Sequence, residues 1–145
     1  MIVKETKNEA DIKAILLDSD IYGRMVSDSK DVISLDEVPI NDDYTYIIGK
    51  ENNKPFGLCI YSHEQDKTLI HFYVLKGSRY KLARKFAKEA LKHKGSKPVF
   101  AVIPEYHKTV INFAVKAGFE KICNHVDPYF KKGKAYKRVI LRLTV

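Results

Sequence analysis

Tryptophan is absent, cysteine occurs only twice, and glycine and proline are sparse at 7 and 5 of 145 residues. Such low glycine and proline content excludes a collagenous or low-complexity chain, and two cysteines exclude a disulfide scaffold. No stretch approaches the roughly 20 apolar residues that span a bilayer, so no membrane association is expected. The opening residues Met1-Ile2-Val3-Lys4-Glu5-Thr6-Lys7-Asn8 hold no apolar leader segment and no small-residue cleavage site, which implies a cytoplasmic protein. Cys59 and Cys123 form no Cys-x-x-Cys pair, and both lie in apolar, strand-like surroundings that predict two buried, reduced thiols. The five histidines, at 63, 71, 93, 107 and 125, lack zinc-ligand spacing, so no metal site is expected. A P-loop, a Gly-x-Ser-x-Gly elbow and a dinucleotide fingerprint are also missing.

What remains is a chain able to fill one core, with 45% hydrophobic and 11% aromatic residues. Its charge is unevenly spread. Residues 1–72 carry 8 Lys and Arg against 14 Asp and Glu, whereas residues 73–145 carry 18 against 4, for a net charge of +8. A basic half of this kind suits an anionic partner: a phosphorylated cofactor, a nucleic acid or an acidic protein. It also suits a merely solvated face.

Periodicity divides the chain into alternating elements over a single domain, residues 1–145. Asn8 caps a helix over 9–17 whose apolar face is Ile12, Ile15 and Leu16. The acidic stretch 19–43 accommodates a second short helix and a loop. Three strand-like runs follow, Tyr44–Gly49, Phe56–Ser62 and Thr68–Leu75, joined by short polar turns that predict an antiparallel meander. Lys81–Lys94 has helical period, with Leu82, Phe86, Ala90 and Leu91 on one face and Gly95 at its end. Val99–Ile103 reads as a buried strand. A helix over 108–117 turns Val110, Ile111, Ala114 and Ala117 inward, and Phe119–Val126 and Ala135–Leu143 are final strands joined by the polar loop Asp127–Lys134. The fold class is α/β (α+β), a mixed sheet of six to seven strands flanked by helices, in the order β-α-α-β-β-β-α-β-α-β-β.

Three local signatures accompany this order. They are Ile48-Gly49 through Phe56-Gly57, Val102-Ile103-Pro104-Glu105-Tyr106-His107 followed by Asn112–Glu120 with its Ala117-Gly118-Phe119 turn, and Tyr129–Tyr136 ahead of an apolar last strand. With their spacing they resemble the GCN5-related N-acetyltransferase superfamily over essentially the whole chain. The segment Asp20-Ile21-Tyr22-Gly23-Arg24-Met25 is similar to that of small phage-encoded acetyltransferase-like proteins.

The resemblance implies an acyl-CoA cofactor such as acetyl-CoA, an amine acceptor that is a small molecule or a protein, and a pyrophosphate turn after the fourth strand. A Gln/Arg-x-x-Gly-x-Gly/Ala motif there points backbone N–H groups at phosphate. Here the turn supplies Val74, Arg79, Tyr80, Lys81, Leu82, Ala83 and Arg84 as cofactor-binding candidates. Arg79 matches the motif, but Leu82 and Arg84 stand where glycines are expected, and a Cβ can block close approach of phosphate. Arg79, Lys81 and Arg84 offer charge-assisted contacts in compensation.

The resemblance also places a tyrosine general acid four residues before Gly118, where this chain has Ala114. The catalytic candidates are therefore His71, a base whose strand alternation puts it on the side of Tyr73, and Tyr106 and His107 at the end of the fifth strand. The acceptor is expected near the acidic stretch containing Asp18, Asp20, Asp28, Asp31, Asp36, Glu37, Asp42 and Asp43. The leading reading is an N-acyltransferase of an unidentified amine. Two others stand beside it: a non-catalytic binding or virion-associated protein with phage virion partners, which reuses the fold, and an enzyme directed at nucleic acid such as charged tRNA.

Overall fold

The computed structural model describes residues 1–21 and 40–144. Local chemistry sets the first elements. Strand β1 (Ile2–Thr6) leads to Asn8, whose side-chain oxygen accepts the Asp11 backbone N–H at 3.1 Å and starts α1 (Glu9–Leu16). Asp11 turns its carboxylate to Lys50, 2.7 Å away, instead of closing a capping box. Strands β2 (Tyr44–Glu51) and β3 (Lys54–His63) are joined by Asn52 and Asn53, both at positive φ (53° and 64°), as a two-residue type I′ hairpin requires. β4 (Thr68–Val74) continues the antiparallel meander.

Beyond β4 a 3-10 turn (Lys76–Ser78) runs into α2 (Arg79–Leu91), then β5 (Val99–Pro104), α3 (Lys108–Lys116), β6 (Phe119–Lys131) and β7 (Lys134–Leu143). One mixed sheet of seven strands results, ordered β1-β2-β3-β4-β5-β7-β6. β4 and β5 are parallel and every other neighbouring pair is antiparallel. The expected fold class and the antiparallel meander of the second to fourth strands are therefore found.

Several local expectations are corrected. The residues read as a loop, 127–134, are mostly strand: β6 and β7 form a long hairpin turned by Lys132 and Gly133 at φ 51° and 75°. The register shifts between His125 and Tyr129, and this irregularity absorbs Pro128, which has no N–H to give the ladder. Helix α2 starts two residues earlier than its periodicity indicates and stops at Leu91, because His93 and Lys94 bond back to Ala90 and Leu91 in a tightened last turn. Val110 points to solvent, while Ile111 and Phe113 pack inward. Cys59 is fully buried and burial pushes its thiol up to about 12, but Cys123 is exposed on the edge strand β6. Ser19–Ile21 are helical and residues 40–43 form a turn before β2, while residues 22–39 of the expected second helix and loop, with Tyr22–Met25, Asp28, Asp31, Asp36 and Glu37, lie outside the described residues.

Each face of the sheet carries its own core. On one, Tyr46, Ile48 and Leu58 pack with Ile12, Ile15 and Leu16 of α1 and with Ile21. On the other, Ile47, Cys59, Tyr61 and Val74 meet Ala83, Phe86 and Ala90 of α2, and the cluster continues through Ala101, Ile103, Val139 and Leu141 to Ala114. The Tyr61 hydroxyl crosses this second core to donate to the Ala90 carbonyl at 2.7 Å.

Phe86 is seated on a dent in the sheet. Gly49 and Gly57 are register partners in β2 and β3, and a Cβ on Gly57 would come within 2.7 Å of the Phe86 ring, one on Gly49 within 2.9 Å. Contacts that short force the ring to move. Gly57→Ala is therefore expected to cost about 1–3 kcal/mol in urea unfolding, the scale of core overpacking. In the Phe86→Leu background the same change should cost less, since the ring it strikes has gone. Equal costs in both backgrounds would show that Phe86 is not what the glycines accommodate.

Candidate active site at the open end of the central strands

β4 and β5 pair only at Thr68 with Val99 and Leu69 with Phe100. Past those residues β4 stays registered with β3 as far as Val74, and β5 stays registered with β7 as far as Pro104. Each strand follows its outer neighbour, so the two diverge and leave a wedge between Ile70–Val74 and Ala101–Pro104. Beneath it, on the α2/α3 face, aromatic rings span the gap: Phe56 meets Phe86 at 5.4 Å, Phe86 stacks with Phe72 at 5.2 Å, and Phe72 stacks with Phe113 of α3 at 5.5 Å.

A helix begins beyond the tip of each diverging strand. Neither α2 nor α3 has a side-chain cap or an acidic residue in its first turn, so each turns the positive end of its dipole toward the wedge. At α2, Lys76, Lys81 and Arg84 are exposed, Leu82 is half-buried against the core and Ala83 is buried. Tyr80 is the second residue of the helix. Gly77 sits in open space, where even a Cβ would meet nothing within 4 Å.

Arg79 stands apart from the other cations. Its Nε donates to the Val74 carbonyl at 3.1 Å, and its Nη2 is ion-paired with the Asp20 carboxylate. Sequence reading gave Arg79 a phosphate and Asp20 a cationic acceptor, but it did not join the two. The residues are 59 apart, and the only signal was an acidic cluster in one half facing an uncapped basic helix start in the other.

His71 lies opposite Ile60 and, by alternation, on the α1 face with Tyr73, away from Phe72. Its side chain reaches solvent, yet crowding by the surrounding protein desolvates the ring and lowers its pKa from the ordinary 6.5. Tyr106 and His107 follow β5 on the other side of the wedge. Their rings are 4.3 Å apart, and Tyr106 meets Tyr136 of β7 edge-on at 4.5 Å. His107 is the cap residue of α3, and its backbone N–H bonds to the Pro104 carbonyl. Ala114 is buried in the core. The structure thus sets His71 on one lip of the wedge and Tyr106 with His107 on the other. A separate shallow, basic concavity of about 190 Å³, lined by Lys94, Lys97 and Arg142 among others, sits at the opposite end of β5 and away from these groups.

No protein-family model and no curated protein matches the sequence. Solved structures do. Over 100% of both chains the protein superposes on the ribosomal-protein-alanine N-acetyltransferase of Brucella melitensis with a TM-score of 0.74 at 16% identity. A variant of the spermidine N-acetyltransferase of Vibrio cholerae gives 0.79 at 10% identity, over 99% of this chain and 94% of that one. An acetyltransferase of the GNAT family from Streptococcus pneumoniae gives 0.75 at 14% identity, over 99% of both. The fold is that of the GCN5-related N-acetyltransferases. In this chain the wedge follows from the strand pairing, since β4 stays with β3 and β5 with β7 after their own pairing ends. Among the described residues no helix is long and apolar enough to cross a membrane. These neighbours lend no support to a phage origin or a virion partner.

The lowered pKa of His71 has a measurable consequence. Its folded value lies below the unfolded 6.5, so in the window below 6.5 the unfolded chain binds the proton more readily. This contribution to stability is complete above 6.5 and declines as pH falls through that window. An NMR titration should find the His71 midpoint below 6.5, and His71→Gln should lessen the loss of melting temperature on acidification. A midpoint at or above 6.5 would remove the basis for a neutral imidazole at the wedge.

Proposed function

We propose that the protein is an acyl-CoA-dependent N-acyltransferase that moves an acetyl group to an unidentified primary amine. The observation that carries this reading is the wedge between β4 and β5 with a basic, uncapped helix start at its tip. Two strand edges that stop pairing offer backbone amides and carbonyls to a ligand with amide groups of its own, which the pantetheine arm of coenzyme A has. The α2 start, with Lys81 and Arg84 exposed beside its backbone N–H groups, fits a pyrophosphate. The non-glycine side chains do not obstruct this fit: Leu82 packs toward the core, Ala83 is buried, and the space around Gly77 is open.

Acetyl-CoA, when bound, supplies the activated thioester. The chain's part is to orient and to move protons. Val74 and Tyr80 through Arg84 are assigned to the cofactor side, with backbone N–H groups of the first turn of α2 and the exposed side chains of Lys81 and Arg84 toward the anion. His71, neutral at pH 7, is assigned to take a proton from the amine at its free ring nitrogen, directly or through one water. Tyr106 and His107, on the far lip, are the groups to return a proton to the departing sulfur. The acceptor is assigned to the face that carries His71, and the net negative charge of the first half of the chain draws a cationic amine. Solved neighbours whose names specify an acceptor, among them those for spermidine and for a ribosomal protein's alanine, are N-acetyltransferases.

Ala114, at the position where the resemblance puts a tyrosine, favours the competing reading of a non-catalytic protein built on the same fold. Titration with acetyl-CoA separates the two. Binding should release or absorb heat and raise the melting temperature by mass action. Lys81→Ala with Arg84→Ala should weaken it by roughly 1–3 kcal/mol, the scale of lost charged hydrogen bonds. The unliganded double variant should melt no lower than the parent, because both side chains are exposed near the positive end of a dipole. Absence of heat and of any melting shift at saturating acetyl-CoA would overturn the acyltransferase reading.

A further inference from the structure

Arg79 occupies the position from which the resemblance expects a phosphate contact, but its guanidinium is engaged at two points. Nε–H reaches back to the Val74 carbonyl at 3.1 Å, which closes the chain between the end of β4 and the start of α2 into a loop. Nη2 meets the Asp20 carboxylate. A guanidinium is planar and its donors have fixed directions, so two acceptors together commit its orientation. Asp20 is anchored in turn. Its backbone N–H and that of Ile21 both donate to the Asp18 carboxylate, at 3.1 and 3.3 Å, and the Ile21 side chain is buried in the core beneath α1. A continuous line of contacts runs from that core through Asp20 and Arg79 to the carbonyl where the anion turn begins.

We propose that Arg79, held by Asp20, is a positioning residue that sets the shape of the anion-binding turn and does not itself bind phosphate. This rests on the coenzyme A reading above. The turn has one glycine, Gly77, and lacks two that the motif would supply. The positions of those two, Leu82 and Arg84, lie inside α2, and the stretch between β4 and α2 is closed by the Arg79 side chain that bridges its ends. Pairing also offsets the Arg79 charge with that of Asp20, so the exposed cations Lys76, Lys81 and Arg84 remain to meet the anion. Because Asp20 belongs to the segment after α1, the acceptor side of the site is keyed to the cofactor side through one ion pair.

The proposal predicts an effect opposite in sign to simple electrostatics. Removing a negative charge beside an anion site should tighten anion binding, and so should releasing Arg79 if it were a phosphate ligand restrained by Asp20. A positioning role requires the reverse. Calorimetric titration with coenzyme A should show Asp20→Asn and Arg79→Ala each weakening binding about tenfold, the scale of one charged hydrogen bond. The double variant should bind no more weakly than the worse single one, as expected of residues acting as a unit. Arg79→Lys should fail to restore affinity, since an ammonium cannot span both acceptors. Far-UV circular dichroism and cooperative unfolding establish that each variant is folded, and the isosteric Asp20→Asn decides the matter if Arg79→Ala is not. Unchanged or tighter binding by Asp20→Asn overturns the positioning role, as do additive losses in the double variant. If the parent protein takes up no coenzyme A, the acyltransferase reading itself falls and this inference with it.

Discussion

The seating of the Phe86 ring over the Gly49–Gly57 pair governs where α2 can lie, and with it most of the site. Two adjacent strands without side chains at one level create a depression, and a ring fills it at 0% exposure. Burying such a ring is worth about 3–5 kcal/mol by comparison with its removal from other cores. That is a large share of the 5–15 kcal/mol that separates folded from unfolded domains. The contact fixes the height and rotation of α2, because Ala83 and Ala90, three residues before and four after Phe86, lie on the same face and let the helix sit close. With α2 so placed, its N-terminus comes to the end of β4, and Arg79 comes within reach of both Val74 and Asp20.

Charge in this protein is arranged by position more than by total. The net +8 conceals an acidic first half and a basic second half, and Asp20 with Arg79 brings one charge of each together beside the end of β4. Among the described residues the ion pairs include Asp11 with Lys50, Asp20 with Arg79, Glu64 with Lys67, and Glu89 with Lys92 at the exposed end of α2. Exposed pairs such as the last contribute little to stability. The Arg79 pair is half-buried, and it joins elements far apart in sequence, so its worth lies in fixing one conformation of the turn. Among the described residues, the exposed charges near the α2 start, Lys76, Lys81 and Arg84, are positive.

Much of the architecture was legible because it is written in short-range chemistry. The Asn8 cap, the period-2 runs of the meander, the switch to helical period after the fourth strand and the apolar fifth strand all have local causes. The misreadings have local causes too. Residues 127–134 are polar and include a proline, which resembles a loop, yet a hairpin whose outer side faces solvent is free to be polar along its length. Cys123 sits among apolar letters, but β6 is an edge strand and its core-facing register is broken by the shift after Lys121. In the site, strand alternation was enough to give the face of His71. The Arg79–Asp20 pair was not accessible in this way, since no periodic pattern links residues 59 apart, and neither residue is unusual where it stands.

The loss of motif glycines and the survival of the wedge are consistent with each other once their origins are separated. Glycines in a phosphate turn act on local backbone freedom. The wedge comes from the sheet: β3 holds β4 along its whole length, β7 holds β5, and the Phe86–Phe72–Phe113 rings occupy the floor where the strands part. Substitutions in the turn leave those constraints in place. Leu82 and Arg84 lie within α2, and the stretch ahead of that helix is shaped separately, by the bridge from Arg79 to Val74. A chain built this way keeps the opening unconditionally, while the turn at its tip depends on a residue from the opposite side of the site.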